Sequence, residues 1–334
     1  MIRSTLLILA ALASQSLSRQ QMLTQPPASV VTELPFPLKT TTLKTAGVSY
    51  FVSGRVRLPH NQTVVSLREM NLVGRGERAV LEVSGKLEIK AVTGGRVNIT
   101  NLTIEVMPDC KDLLISDANI SGGGGIISSE TGPSSAEIYL HGLRVSGSAK
   151  IDLKMSGGQI DLQSSSVATP VHLKGINASE KNRAKLKVIL LGNRPSIGGL
   201  SGGLFIDNAY DALVRNCLIG GKHSLMSNCQ KLDFDGNGVR STKFEITQKG
   251  PKDFKKTKIK SCDFSSPTIR IYAPLDPKSP DKLERFSIQS CWFNGATTPD
   301  VIREKYVMDN GREKGNGMLV TLKRVSAGRK GLGG

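Results

Sequence analysis

The chain has 334 residues, enough for one large domain or two of ordinary size. Aromatic residues make up only 4% of the chain while glycine occurs 35 times, which argues against a globular core built around large rings. The formal net charge of +17 suits an anionic partner held through release of counterions, namely nucleic acid, acidic polysaccharide or anionic lipid; solvated loops that only aid solubility are the alternative for any single lysine.

Residues 1–19 have the three parts of a secretory signal peptide. Arg3 supplies a positive charge, Leu6 to Leu12 form a short apolar segment, and small residues around Ala13 to Ser18 suit cleavage. The apolar run is shorter than the roughly 20 residues that span a bilayer, and no later segment has that length. We therefore predict a signal peptide, with a buried N-terminal helix as the alternative, and a secreted or periplasmic protein without a transmembrane segment. Export argues against nucleic acid as the partner.

Residues 20–45 differ in composition from the residues after them. They contain the stretches TQPPAS and TELPFPLKTTT, in which prolines interrupt regular structure. We predict a leader or cap here, and one repetitive domain over residues 46–300.

That repetitive domain returns to one short pattern, in which an apolar anchor is followed two places later by a small polar residue. The anchors are 16 to 29 residues apart, a spacing typical of a solenoid whose units cannot bury their apolar faces alone. The anchors are Ile99, Ile115, Leu140, Leu162, Val188, Val214, Phe234, Ile259 and Ile288.

Within each unit, apolar and polar residues alternate over three to five positions, which is the period of a strand. Each unit holds about three such runs, separated by small or turn-forming residues. This predicts an all-β fold, a parallel β-helix of about ten coils of three short strands, with coils stacked about 4.8 Å apart.

The polar residue after each anchor is predicted to form the bend between two strands. Such a bend needs a residue that tolerates left-handed backbone, as glycine, asparagine, aspartate and serine do. Val188 fits poorly, because Leu190 occupies its bend position. The other bend residues are Asn101, Asp117, Gly142, Ser164, Asn216, Gly236, Ser261 and Ser290.

Three units carry a fuller motif: Val214-Asn216-Cys217-Ile219, Ile259-Ser261-Cys262-Phe264 and Ile288-Ser290-Cys291-Phe293. In these units, and over about residues 45 to 300, the chain resembles right-handed parallel β-helix proteins of the pectate-lyase-like superfold. The resemblance implies the handedness of the coil. It does not decide an activity, because the superfold hosts lyases, hydrolases, esterases and adhesins.

The cysteines Cys217, Cys262 and Cys291 share one repeat position that is predicted to point inward. We expect buried thiols that act as small apolar groups. A bond between Cys262 and Cys291 on adjacent coils is the alternative, although parallel side chains give poor disulfide geometry. Their spacing predicts no metal site.

Two insertions, residues 247–256 and 273–285, enter between the first and second strands of a coil, so both should lie on one side of the solenoid. The stretch 249–260 holds six lysines against one aspartate. Residues 301–334 are predicted to be a C-terminal cap with one last strand near Leu319 to Leu322, followed by a basic, glycine-rich tail.

In the families that this fold resembles, sugar polymers lie along the outer face of the first strand of each coil. The alternation of inward and outward residues along each strand lets us predict which side chains point outward there. Leu225 and Ser227 complete the two columns on the coil between Phe205 and Glu245. One predicted column is Asp152, His172, Phe205, Glu245 and Arg270, and the column beside it is Lys154, Lys174, Asp207, Thr247 and Tyr272.

Candidate catalytic residues on this face have the side-chain types that cleave acidic polysaccharides. A uronate lyase needs a cation to neutralise a carboxylate and a base to take the neighbouring proton, but Lys174 and Arg270 are four coils apart, roughly 19 Å. A hydrolase needs two carboxylates about 5–9.5 Å apart, and Asp207 and Glu245 are two coils apart, roughly 10 Å. A solvated sheet face without function is the alternative. The candidates are His172, Lys174, Asp207, Glu245, Arg270 and Tyr272.

The sequence supports two functional hypotheses. The first is a non-catalytic exported protein that binds or scaffolds at the cell envelope, holding an anionic glycan. The second is a polysaccharide lyase, or less readily a hydrolase, that acts along the first-strand face. No cofactor is predicted: DFDGNG (233–238) resembles a calcium loop, but Asp233 and Asp235 flank the inward Phe234. The candidate ligand-binding residues are Phe205, Tyr272, Lys252, Lys255 and Lys256.

Overall fold

The computed structural model describes residues 31–33, 42–45, 48–58, 62–66, 69–91, 94–176, 185–194, 199–247, 256–273, 286–293, 301, 307–309 and 320–323. The predicted signal peptide and the loop lysines Lys252 and Lys255 lie outside these ranges. Within them, Val301 is the only helical residue. None of the described segments is a long apolar helix that could cross a membrane.

Thirty strands make up the described chain. They are β1 Val31–Glu33, β2 Thr42–Thr45, β3 Val48–Arg57, β4 Gln62–Ser66, β5 Glu69–Ala91, β6 Arg96–Thr100, β7 Thr103–Ser116, β8 Ala118–Ser121, β9 Gly125–Ser128, β10 Glu137–His141, β11 Arg144–Val145, β12 Lys150–Met155, β13 Gln159–Gln163, β14 Ser166–Val167, β15 Val171–Gly175, β16 Lys187–Leu191, β17 Leu204–Asp207, β18 Asp211–Arg215, β19 Leu218–Ile219, β20 His223–Ser227, β21 Lys231–Asp235, β22 Gly238–Val239, β23 Lys243–Thr247, β24 Lys256–Lys260, β25 Asp263–Phe264, β26 Thr268–Ala273, β27 Phe286–Gln289, β28 Trp292–Phe293, β29 Val307–Asp309 and β30 Val320–Lys323.

The strands pair in parallel from coil to coil and form three faces. Face A contains β9, β12, β15, β17, β20, β23, β26 and β29; face B contains β10, β13, β16, β18, β21, β24, β27 and β30. Face C contains β6, β8, β11, β14, β19, β22, β25 and β28. Near the N-terminus β5 bends twice and lies on all three faces.

The predicted all-β parallel solenoid is confirmed. Between β6 and β28 the chain returns to face C eight times, so the solenoid has about eight turns, slightly fewer than the ten expected. Strands β1 and β2 lie inside the stretch predicted as a leader or cap, and they pair with β3 and β4. Strand β30 matches the last strand predicted near the C-terminus.

The core consists of inward apolar columns, one side chain per coil. On face B, Val214 stands opposite Phe234, which stands opposite Ile259 and then Ile288, and all four are at most 3% exposed. Towards the C-terminus the core becomes aromatic, since the ring of Phe264 stacks on that of Phe293 with centroids 4.7 Å apart. These four predicted anchors therefore form one hydrophobic column, as the predicted parallel β-helix requires.

Two of the predicted anchors were wrong. Ile99 lies on face C, opposite Ile120, and not on face B with the other anchors. Val188 precedes the true anchor by two residues, because Leu190 stands opposite Leu162 and Val214. Both errors have one cause. Inward and outward residues alternate in the same way on every face. The pattern therefore predicts whether a side chain points inward, but not on which face, or at which inward position of the strand, the residue lies.

All eight predicted bend residues have positive φ, from 48° at Ser164 to 65° at Gly236. The bends also stack on one another. A Cβ placed on Gly236 would come within 2.6 Å of Oδ1 of Asn216 on the preceding coil. A Cβ on Gly142 would similarly meet Oδ1 of Asp117 at 2.7 Å. Glycine follows asparagine or aspartate at these corners because the earlier side chain occupies the space that a Cβ would need.

From Ser165 to Cys291 the corner between faces B and C has a buried column of small polar side chains and thiols, formed by the residue after each bend. Asn237 Oδ1 accepts a hydrogen bond from the Cys217 backbone N–H at 2.9 Å, and its Nδ2 donates to the Val214 carbonyl at 2.8 Å. Cys291 Sγ accepts from the Cys262 backbone N–H at 3.4 Å. Small polar side chains recur at this corner because the strands end there, and their backbone groups need partners inside the core.

All five cysteines are free and buried, so the expected buried thiols are confirmed and no Cys262–Cys291 bond is present. Burial raises the pKa of the Cys110 and Cys229 thiols to about 12. Burial likewise raises the pKa of Cys217 above its ordinary value. The thiolate is the reactive form, so these groups are inert in the folded protein.

The stacked bends predict an energetic coupling between neighbouring coils. Gly236→Ala should lower the free energy of unfolding by about 1–2 kcal/mol from the left-handed backbone alone, and by more because its Cβ meets Asn216 Oδ1. Asn216→Gly removes that contact. In the Asn216→Gly background, Gly236→Ala should therefore lower the free energy of unfolding by less than it does in the wild type. Urea unfolding of the two single variants and the double variant measures the coupling, and purely additive losses would contradict it.

Thiol titration tests the cysteine assignment. The native protein should leave all five thiols unreacted with an aromatic disulfide reagent at neutral pH, and unfolding in guanidinium should release all five. If two thiols were missing after unfolding without reductant, a disulfide would be present and the assignment would fail. The same titration after reduction provides the control.

Candidate functional site

The structure gives face A the register that the sequence predicted. In one outward column Asp152, His172, Phe205, Leu225, Glu245 and Arg270 are successive partners on adjacent strands. In the neighbouring column the partners are Lys154, Lys174, Asp207, Ser227, Thr247 and Tyr272. Strands β12, β15, β17, β20, β23 and β26 therefore carry the predicted site residues at fixed intervals of one coil.

A groove of about 320 Å³ lies on face A across β12, β15, β17 and β20. It brings four of the predicted site residues together, and both columns contribute to it. Glu245 and Arg270 lie on the two coils beyond β20. The groove is lined by Asp152, Lys154, His172, Leu173, Lys174, Phe205, Ile206, Asp207, Leu225 and Ser227.

Two of the remaining candidates occupy other positions. Tyr272 belongs to the second column by backbone register, but its side chain lies outside the described structure. Lys256 is not part of a loop beside the groove. It is the first residue of β24 on face B, where strand register places it opposite Lys231 on β21. The insertions before β24 and β27 do start from face A strands and end at face B strands, as predicted, although the inserted residues themselves lie outside the described ranges.

Three rings line one side of the groove and its continuation. The His172 and Phe205 rings are stacked, with centroids 4.5 Å apart and planes 4° from parallel. The His223 ring meets Phe205 edge-on at 5.4 Å. Because His172 covers one face of Phe205, a sugar in the groove would meet ring edges more than open ring faces.

Asp207 is held in place within the groove by three neighbours. Its Oδ1 accepts hydrogen bonds from Ser227 Oγ at 2.7 Å and from Asn228 Nδ2 at 3.2 Å. Its Oδ2 lies 3.7 Å from the Lys174 ammonium. The carboxylate is therefore compensated, and Lys174 keeps about half of its side chain exposed to solvent.

Glu245 is the centre of a polar cluster next to the groove. Its Oε2 lies 2.8 Å from His223 Nε2 and 2.7 Å from Lys243 Nζ, and the residue is only 9% exposed. Burial acts to raise the pKa of Glu245, but the hydrogen bonds from Lys243 and His223 outweigh it and lower the pKa below its ordinary value. The carboxylate stays ionised and orients the His223 ring.

His223 is the site residue that sequence reasoning missed. The glycines of GGKHS favour a turn, but His223 begins strand β20, two residues before the outward Leu225. Alternation from Leu225 could have identified it as outward. Its contact with Glu245 could not be found that way, because the two residues are 22 positions apart and on different coils.

The geometry limits the chemistry that this face can perform. Among the described residues, no group of three or more histidine, cysteine, aspartate or glutamate side chains could hold a metal ion. The segment predicted to resemble a calcium loop is strand β21 followed by a bend, with Asp233 paired to Arg215 at 2.5 Å. Asp207 and Glu245 both carry cationic partners and sit two coils apart, which does not favour a hydrolase pair.

No family model, curated protein or solved structure matches the chain. The structure shows a parallel β-solenoid with three faces, and the resemblance to the pectate-lyase-like superfold stays a prediction from the sequence. What this chain does has to be argued from its own side chains.

The Glu245 cluster predicts a pH-dependent stability. A carboxylate whose pKa is lowered by folding stabilises the protein above its unfolded pKa, about 4.5, and this contribution disappears as the pH falls through the lower folded value. Glu245→Gln should therefore cost about 1–3 kcal/mol at pH 7 and less near pH 3. Urea unfolding at both pH values measures it. Asp152→Asn on the same face is the control, and an equal loss in the two variants would contradict the assignment.

Proposed function

We propose that this protein is exported and binds an acidic polysaccharide along the groove of face A, without catalysis, at the cell envelope. The observation that carries the proposal is the groove itself, in which Lys154 and Lys174 stand on adjacent coils beside the His172–Phe205 pair. Cationic groups and rings side by side suit a polymer whose sugar units carry carboxylates.

The size and repeat of the groove support a chain-like ligand. Its volume of about 320 Å³ is within the usual range of ligand pockets, about 300–1,000 Å³. Coils repeat about every 4.8 Å, close to the length of one sugar unit in an extended polysaccharide. Successive uronates could thus meet Lys174 and Lys154 in turn.

The groove itself is formally neutral, with Asp152 and Asp207 beside Lys154 and Lys174, so the support for an anionic ligand comes from how the carboxylates of face A are held and from the cation beyond the groove. Asp207 and Glu245 are each compensated by a lysine and by hydrogen-bond donors. Arg270 is exposed on the same face, two coils beyond the groove. An acidic chain that continues along the column would therefore approach further cationic charge.

A polysaccharide lyase is the second candidate, and the position of His172 favours it. A lyase must neutralise the uronate carboxylate and remove the proton beside it, after which the glycosidic oxygen leaves and a carbon–carbon double bond forms. His172 lies on β15 two residues before Lys174, in the other outward column. Lys154 lies on the adjacent strand β12, one coil away. His172 could act as the base while a lysine neutralises the carboxylate.

Polygalacturonate provides the test of both candidates. Wild-type protein should bind it in a salt-sensitive manner, and the double variant Lys154→Gln/Lys174→Gln should bind about tenfold more weakly, because two counterion-releasing contacts are lost. The matched control is Lys256→Gln/Lys258→Gln, which removes the same charge from face B. Equal affinity of the two double variants would contradict binding in the groove.

The same samples separate binding from catalysis. A lyase would generate unsaturated product that absorbs at about 235 nm, as β-elimination products do. The absorbance should stay flat if the protein only binds. If it rises with wild type and not with His172→Ala, the lyase replaces the binder as the function.

A further inference from the structure

Strand β24 on face B presents three lysines to solvent in a row. Lys256, Lys258 and Lys260 are all exposed, while Thr257 and Ile259 between them point into the core and are at most 1% exposed. Alternate residues of a strand are about 6.7 Å apart, so the row extends over about 13 Å. A paired strand in the middle of a sheet holds these positions rigidly.

Within the described part of the chain, no carboxylate lies within 4.0 Å of the three lysine ammoniums. Asp233 and Asp235 stand opposite Lys258 and Lys260 on β21; Asp233 pairs with Arg215, and Asp235 lies more than 4.0 Å from the Lys260 ammonium. On the other side, β27 places uncharged residues opposite the same two lysines. The positive charge of β24 is therefore less compensated than that of face A.

The cationic charge extends in two directions. Along β24 it follows the strand, and across the coils Lys256 stands opposite the exposed Lys231 on β21, whose ammonium lies 3.8 Å from Asp211 Oδ2 and is therefore partly compensated. A linear polymer would cover one such line, whereas a planar anionic surface can contact both directions together. Lysine, a point charge on a flexible stem, also suits diffuse surface charge better than bidentate recognition of one group.

From this array we infer that face B docks the solenoid onto a bilayer that contains anionic lipid. The interaction is electrostatic and superficial, since the outward residues of β24 are lysines and none is apolar. Juxtamembrane basic residues each contribute about a fivefold gain in binding to an anionic surface. Docking by face B would leave the groove on face A open to a soluble chain.

Vesicle binding tests this inference on the full chain. Vesicles of phosphatidylcholine with about 30 mol% phosphatidylglycerol should retain the wild-type protein at low salt and release it at about 1 M salt, where the screening length is only about 3 Å. The triple variant Lys256→Gln/Lys258→Gln/Lys260→Gln should bind on the order of 100-fold more weakly. Its urea unfolding should match wild type, because the three side chains have no described ion pair to lose.

The matched control removes the same charge from face A through Lys150→Gln/Lys154→Gln/Lys174→Gln. This variant should keep its vesicle binding and lose polygalacturonate binding, while the face B variant should behave in the opposite way. Equal loss of vesicle binding in both would show a net-charge effect and overturn the docking surface. Loss of polygalacturonate instead of vesicle binding in the face B variant would assign β24 to the glycan and also overturn it. If only the groove proposal is wrong, polygalacturonate binding will not depend on the face A lysines, while vesicle binding will still depend on the three lysines of β24.

Discussion

The stacking of each coil on the next is the interaction on which the rest of the structure depends. A single coil is three short strands, and alone it can neither bury its inward side chains nor pair its backbone N–H and C=O groups. The coils on either side supply both. Continuous columns such as Val214, Phe234, Ile259 and Ile288 result from this, as does the polar corner where Asn237 binds the backbone of Cys217 and Val214.

The same stacking decides how function can be distributed on the surface. Backbone register places every outward side chain in a column whose members are one coil apart. The chemical character of a face therefore depends on the residue type at each outward position, while the backbone stays the same. Face A uses this freedom for a groove in which Lys174 compensates Asp207, next to a cluster in which Lys243 compensates Glu245. Face B uses it for a row of lysines on β24 without such compensation. A strongly basic chain can thus present two surfaces on which the cationic charge is arranged differently, and the two proposed ligands rest on that difference.

Much of the fold and part of the site could be predicted from the sequence. The bends were found because left-handed backbone restricts the choice of residue, as at Asn216 and Ser290. The groove columns were found because alternation from any one inward residue orders a whole strand. Ile99 and Val188 were misplaced since the same alternation recurs on every face. Lys256 was assigned to a loop because a run of lysines obscured the strand in which alternate residues point outward.

By itself, then, the sequence determined the direction of each side chain, inward or outward, because direction depends only on local alternation and on the bends between strands. Only the tertiary structure decided which side chains meet: the stack of His172 on Phe205, the bond of His223 to Glu245, and the groove that four adjacent coils form on face A. Those contacts join residues on different coils whose lengths are unequal. Their geometry depends on rotamers and stacking across coils, which a pattern read along one strand does not contain.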